Sequence, residues 1–373
     1  MVTVLVVDDS AFMRNVLSKM LESDPGVKVV GTAGDGLEAV EKAAALRPDV
    51  ITMDVEMPGM DGIEALKRIM AENPVPVIML SSQTSDGARV TLHALELGAM
   101  DFVSKNLSDS SLDIMKIKGV LVEKVKHLGQ KKLFPRPARQ PQREVHVPAD
   151  ACGGRINADI VAIGTSTGGP KSLQQIIPFL PRNFPVPVLV SQHMPANFTK
   201  PFAERLDQLS ALDVKEAEHG ETVRSGVVYI APGGGHMSLS CGLPRPAITI
   251  SHGGDFIYRP SVDALMSSVA LYFPERSIGV ILTGMGNDGL KGLESLKRAG
   301  GKVIAQDEKT CVIYGMPRAV VEAGLADSVL PLGEIPEAIV KYVCGPYCQP
   351  DPRIDRLKDG LTGVRGGNYN SPT

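Results

Sequence analysis

The chain has 373 residues, 43% hydrophobic and 22% charged, with a formal net charge of -3. That is enough for two domains with separate cores, but it provides no basic field for nucleic acid or an anionic membrane surface. With no tryptophan and only 4% aromatic residues, the chain offers thin material for base-stacking or carbohydrate platforms.

The first 125 residues alternate short apolar runs with amphipathic stretches. Strands are predicted at Val2–Val7, Val27–Thr32, Val50–Asp54, Val75–Leu80 and Met100–Val103, with helices at Ala11–Leu21, Gly36–Leu46, Gly62–Met70, Ala88–Leu97 and Leu112–Lys126. This alternation predicts a doubly wound, mostly parallel sheet. Between Lys124 and Pro148 the pattern breaks into seven Lys/Arg and four prolines, which predicts a basic extended linker over residues 126–154. A second alternating block follows over residues 155–345. Its strands are predicted at Ile160–Gly164, Val186–Gln192, Val227–Ala231, Ile278–Leu282 and Val303–Ala305, and its helices at Lys171–Phe179, Pro201–Leu209, Val262–Tyr272, Leu290–Ala299 and Ile335–Val343. The fold class is therefore α/β, with two doubly wound parallel-sheet domains and a polar, mobile tail over residues 346–373.

No apolar run reaches bilayer-spanning length, and Val2–Val7 leads straight into Asp8 and Asp9 rather than a cleavage site. A cytoplasmic protein without membrane insertion is expected. The five cysteines are scattered and lack metal-ligand spacing, which fits a reducing compartment. Cys344 and Cys348 are close enough to bridge, but in a polar tail free thiols are expected.

In an open parallel sheet, functional groups gather at the carboxyl ends of the strands. Asp8 and Asp9 end the first strand, Asp54 the third and Ser82 the fourth, while Lys105 follows the fifth. Three converging carboxylates repel unless a hard cation such as Mg²⁺ shares the site. Together with a hydroxyl and a lysine they make a phosphoryl-transfer site with Asp54 as nucleophile. Strand-end aspartates also cap helices, and any one of these residues alone fits that role; five at matching strand ends do not. VVDDSAFMR, MDVEMPGMDG, Ser81–Ser82 and DFVSK resemble a response-regulator receiver domain over residues 1–125. The resemblance implies phosphorylation of Asp54 by a partner histidine kinase, Mg²⁺ held by Asp8, Asp9 and Asp54, and Ser82 and Phe102 as a switch pair.

In the second block DIVAIGTSTGGP presents Ser166 between glycines, after a strand and before a helix start. A hydroxyl on such a turn suits acyl transfer, because the helix N-terminus offers N–H groups to a developing oxyanion. A phosphate cradle or a plain connection has the same form, although the terminal Lys-Ser/Thr of a P-loop is missing. The nucleophile needs a base, and the base an orienting acid. His193 and Asp288 each follow a strand and can meet Ser166 on one sheet edge. His236 and His252 compete as base, and Asp263 and Asp307 as acid. The histidines lack acidic companions at zinc-ligand spacing. The G-x-S-x-G form suggests an α/β-hydrolase, yet there the acid precedes the histidine, and here the order is serine, histidine, aspartate.

AIGTSTGGP, SQHMP, YIAPGGGHM and LTGMGNDG resemble the catalytic domain of the chemotaxis protein-glutamate methylesterases over residues 155–343. The resemblance implies Ser166 as nucleophile, His193 as base, Asp288 as orienting acid, the Met285 N–H as oxyanion donor and Thr165 as an accessory residue. It implies hydrolysis of glutamate γ-methyl esters, and deamidation of glutamines, on chemoreceptors without a cofactor. The receiver is then expected to cover the cleft until phosphorylated, in a monomer. Two rivals remain at this level: a phosphorylation-gated binding module without hydrolase activity, and an esterase acting on small molecules.

Overall fold

The computed structural model describes residues 1–81, 84–105, 111–130, 156–242, 245–253, 256 and 258–345. Ser82, most of the expected linker and the expected tail lie outside these residues.

The first domain runs β1 (Val2–Val7), α1 (Ala11–Glu22), β2 (Val27–Ala33), α2 (Gly36–Leu46), β3 (Val50–Asp54), α3 (Gly62–Glu72), β4 (Val77–Ser81), α4 (Ser85–Leu97), β5 (Asp101–Ser104) and α5 (Ser111–Gly129). Its five strands are all parallel, in the order β2-β1-β3-β4-β5. Helices cover both faces, so the central strands are buried throughout and their sequences read as nearly unbroken apolar runs. Side chains of Asp35 and Asp61 cap α2 and α3 by accepting the N–H of Glu38 and Glu64 at 2.9 and 2.8 Å. β4 starts two residues later than predicted because Pro76 has no N–H for the ladder. α5 continues to Gly129, four residues into the expected linker.

The second domain runs β6 (Ile160–Thr165), α6 (Gly169–Gln174), β7 (Val188–Gln192), α7 (Ala196–Leu209), β8 (Asp213–Glu216), β9 (Val227–Ile230), β10 (His236–Ser240), β11 (Ala247–Ser251), α8 (Val262–Tyr272), β12 (Ser277–Ile281), α9 (Leu290–Arg298), β13 (Lys302–Gln306), α10 (Met316–Glu322), β14 (Ser328–Leu330) and α11 (Ile335–Cys344). Seven parallel strands form one sheet in the order β14-β13-β12-β6-β7-β9-β8, and β10 and β11 make a separate antiparallel hairpin. The sequence reading omits β8, β10, β11, α10 and β14, which are short and lack a clear apolar period. Helix α7 begins at Ala196 and carries Pro201 inside it, whereas the proline alone reads as a helix start. Cys344 is disulfide-bonded, against the expected free thiol. No helix among the described residues is long and apolar enough to cross a membrane.

Each sheet has a point where the chain runs off in opposite directions, between β1 and β3 in the first and between β6 and β12 in the second. Such switch points open a crevice at the carboxyl ends of the strands. The domains pack together through α4 and β5 of the first, which meet α7 of the second. Glu96 on α4 accepts from Arg205 on α7 at 2.6 and 3.2 Å, and Phe102 of β5 stacks on Phe198 of α7 with ring centroids 4.5 Å apart. Ile313 is buried in the same apolar cluster as Ile78, Leu80 and Val103, with Met285 and Val312 packed against it. The first domain therefore rests on loops at the carboxyl edge of the second sheet.

Candidate active site and phosphoacceptor site

Residues from β1, β3 and β5 meet at the first switch point. Asp8 and Asp54 are buried, Asp9 is exposed, and one carboxylate oxygen from each lies within 4.8 Å of the others. Lys105 donates to Asp8 Oδ2 at 2.8 Å and is ion-paired with Asp54. Burial pushes the Asp54 carboxyl above its ordinary value; Lys105 pulls it down, and Asp8 adds to the rise. Ser81 is turned into α4, accepting the Thr91 hydroxyl at 2.7 Å. Phe102 fills the domain interface.

At the second switch point, β6 delivers Ser166, β7 delivers His193, and the loop after β12 delivers Asp288. The Ser166 N–H donates to Thr283 O at 3.0 Å and the His193 N–H to Thr165 O at 3.1 Å. The Gln192 side-chain amide donates to the carbonyls of Ser166 and His193 at 2.9 and 3.0 Å, tying the two strand ends together. Residue 284 must be glycine here: a Cβ would lie 2.8 Å from Ser166 Cβ.

His193 Nε2 donates to Asp288 Oδ2 at 2.8 Å, while Nδ1 is buried without a partner. Asp288 also accepts the Ser261 hydroxyl at 3.1 Å and the N–H groups of Val262 at 2.8 Å and Asp263 at 3.0 Å. The carboxylate thus sits on the N-terminus of α8, where the helix dipole and open N–H groups favour an anion. Burial opposes ionisation, but the His193 bond and charge and the two backbone donors outweigh it and hold Asp288 below its ordinary value.

The competing residues are engaged elsewhere. The Asp263 carboxylate accepts the N–H groups of Gly289 and Gly292 at 3.0 and 2.8 Å, which anchors the Asp288 loop to α8. Asp307 accepts from Thr310. His236 is buried behind the carboxylate, its Nδ1 accepting the Ser261 N–H at 3.2 Å; burial lowers its pKa. His252 is exposed. Thr165 donates its buried hydroxyl to Thr283 O at 2.9 Å, while the buried Thr167 hydroxyl, just after Ser166, has no partner. The sequence reading does not single out Thr167. It also missed Gln192, Ser261 and Tyr258, whose ring lies flat on His193. Ser261 before an apolar helical run does signal a helix start, but not that Asp288 occupies it. A cavity of about 1070 Å³ lined by Ala158, Ser277 and Lys302 opens at the opposite edge of the sheet, away from these groups.

Two switch-point sites, one acidic and one carrying serine, imidazole and carboxylate, define a two-domain protein with a receiver-type half and a hydrolase-type half. Residues 4–115 match the response regulator receiver domain family and residues 161–339 the CheB methylesterase family. The "Protein-glutamate methylesterase/protein-glutamine glutaminase 1" of Oleidesulfovibrio alaskensis is 48% identical over 367 residues, covering 92% of this chain and 100% of that protein. The Thermotoga maritima "Protein-glutamate methylesterase/protein-glutamine glutaminase" is 48% identical over 346 residues, covering 92% and 98%. A solved structure, the Thermotoga maritima CheB methylesterase catalytic domain, is 49% identical and covers 50% of this chain and 100% of its own, with a TM-score of 0.49. The chain belongs to the protein-glutamate methylesterase/protein-glutamine glutaminase family.

Proposed function

We propose that this chain hydrolyses glutamate γ-methyl esters, and deamidates glutamines, on the cytoplasmic helices of chemoreceptors, and that phosphorylation of Asp54 controls the rate. The observation that carries the reading is the His193–Asp288 pair at 2.8 Å, on strand-end loops either side of the strand that carries Ser166.

Ser166 Oγ attacks the γ-carbonyl carbon and passes its proton to His193. Because Nε2 is held by Asp288, Nδ1 is the nitrogen left to take that proton. Asp288 fixes the tautomer and stabilises the imidazolium, and the Met285 N–H serves the oxyanion. Collapse breaks the bond to the methoxy oxygen, which leaves as methanol with the proton from His193. Water, deprotonated by the same nitrogen, then attacks the acyl-serine; the acyl–Oγ bond breaks, Ser166 Oγ takes the proton back from His193, and glutamate is released. With a glutamine side chain the leaving group is ammonia. No cofactor enters these steps.

In the receiver the carboxylate oxygens of Asp8, Asp9 and Asp54, gathered within 4.8 Å, suit a hard divalent cation. Mg²⁺ bound there supplies charge neutralisation for phosphoryl oxygens. Asp54 is the acceptor from a kinase phosphohistidine, Lys105 neutralises the phosphoryl group, and Ser82 with Phe102 relays the change. Since Phe102 stacks on Phe198 and Met285 packs against the receiver cluster, this relay loosens the packing that covers the Ser166 cleft. A shift of a few kcal/mol between packed and open arrangements suffices.

The test is methanol release from methylated receptor membranes by the full chain, with and without a small-molecule phosphodonor. Release that rises with the donor and disappears in Ser166→Ala supports the reading. Equal release by Ser166→Ala contradicts it.

A further inference from the structure

We infer that Tyr258 is a positioning residue for the catalytic base: its ring lies flat on His193 and stabilises the imidazolium that forms in the transition state. The inference rests on the Ser166–His193–Asp288 reading and adds a group to it. The two rings are parallel to within 8°, with centroids 4.5 Å apart. His193 has a single side-chain hydrogen bond, from Nε2 to Asp288, and Nδ1 is without a partner. One in-line bond leaves the imidazole free to rock about it; a ring pressed on one face fixes the plane and hence the direction of Nδ1.

The electrostatics act in the same direction. The face of an aromatic ring carries the negative end of its quadrupole and attracts a cation. A base that takes the serine proton gains positive charge as the transition state is reached, so the attraction strengthens as the reaction proceeds, which is the condition for a contribution to kcat.

Tyr258 is itself fixed in place. Its hydroxyl end lies against Gly286, where a Cβ would come within 3.0 Å of Oη and where φ is +79°; any side chain there is both strained and in collision with the phenol. The chain then passes through Pro260 to Ser261, Val262 and Asp263, the three donors that hold Asp288. One segment of six residues therefore grips the acid with its far end and covers the base with its near end. Burial, and the charges of Glu123 and Asp288, raise the phenol pKa, so the hydroxyl stays protonated and the ring keeps a neutral face.

The experiment measures kcat and KM for methyl-ester hydrolysis by the phosphodonor-treated full chain. It compares the wild type with Tyr258→Phe, Tyr258→Leu and a series carrying phenylalanines of increasing ring fluorination at position 258. Fluorination keeps the shape of the ring and drains charge from its face. Tyr258→Phe is expected to stay within about twofold of wild type, and Tyr258→Leu to lose about tenfold in kcat with little change in KM. Each added fluorine should lower kcat further while the melting temperature stays constant. A flat fluorine series, a Leu variant as fast as Phe, or a Phe variant as slow as Leu overturns the inference. His193→Ala in the same assay separates the two levels. If that variant is inactive while the fluorine series is flat, only the role of Tyr258 falls; if it keeps the wild-type rate, the triad itself falls and takes this role with it.

Discussion

Asp54 and Asp288 are both buried at the carboxyl edge of a parallel sheet, yet their protonation equilibria move in opposite directions. Asp54 has Lys105 and one long backbone bond from Glu56 at 3.4 Å, and burial beside Asp8 prevails, pushing its pKa up. Asp288 accepts four hydrogen bonds, three of them from the start of α8, and its pKa goes down. Burial alone therefore does not assign a role to a carboxylate; the donors around it do. Oxygens left underbonded can bond a cation or attack phosphorus. A saturated carboxylate can only orient its neighbour.

The sharpest way to break this contrast is to exchange the two acids for amides. Asp288→Asn should cut ester hydrolysis by roughly a thousandfold to ten-thousandfold, because an amide favours the wrong imidazole tautomer. The cut should be the same with and without phosphodonor. Asp54→Asn should leave the untreated rate within about twofold of wild type and abolish the response to the donor. An Asp288→Asn enzyme with near-normal rates, or an Asp54→Asn enzyme that still responds, removes the distinction.

A smaller effect tests how the two sites communicate. Glu96→Gln weakens the ion pair to Arg205, whose side chain is 40% exposed, so the expected gain is modest. The untreated rate should rise by about twofold to fivefold and the fully phosphorylated rate should hold. An unchanged untreated rate would show that this contact does not restrain the enzyme.

The smallest effect is on stability. A carboxyl whose folded pKa is depressed contributes stability that is fully present above its unfolded value and is lost as the pH falls through the folded one. For Asp288 that window opens below its ordinary 3.8. The melting temperature of Asp288→Asn should therefore fall less steeply than that of wild type below about pH 4. Parallel melting curves across that range would contradict the depressed value.

Most of what places the two sites is legible in the sequence, because parallel strands buried on both faces announce themselves as apolar runs and functional groups follow their ends. Asp8, Asp54, Lys105, Ser166, His193 and Asp288 all stand where that rule puts them. The supporting contacts are not legible in the same way. Asp288 meets Ser261, Val262 and Asp263 across 25 to 27 residues, and only the packing of α8 against the β12 loop creates that meeting. Tyr258 reaches His193 in the same fashion, from a loop with no periodicity of its own. Thr165 and Thr167 are chemically alike and flank Ser166 equally; only the Thr283 carbonyl, brought in by β12, tells them apart. The edge strands β8 and β14 are too short to carry an alternating pattern, and the β10–β11 hairpin is too polar.

Covalent trapping reports whether Ser166 is a nucleophile activated by His193. The phosphodonor-treated full chain is exposed to an active-site serine reagent and the adduct is located by peptide mass spectrometry. A single adduct on Ser166 in the wild type, lost in His193→Ala, is the expected result. Equal labelling of the two proteins, or an adduct on another residue, would contradict it.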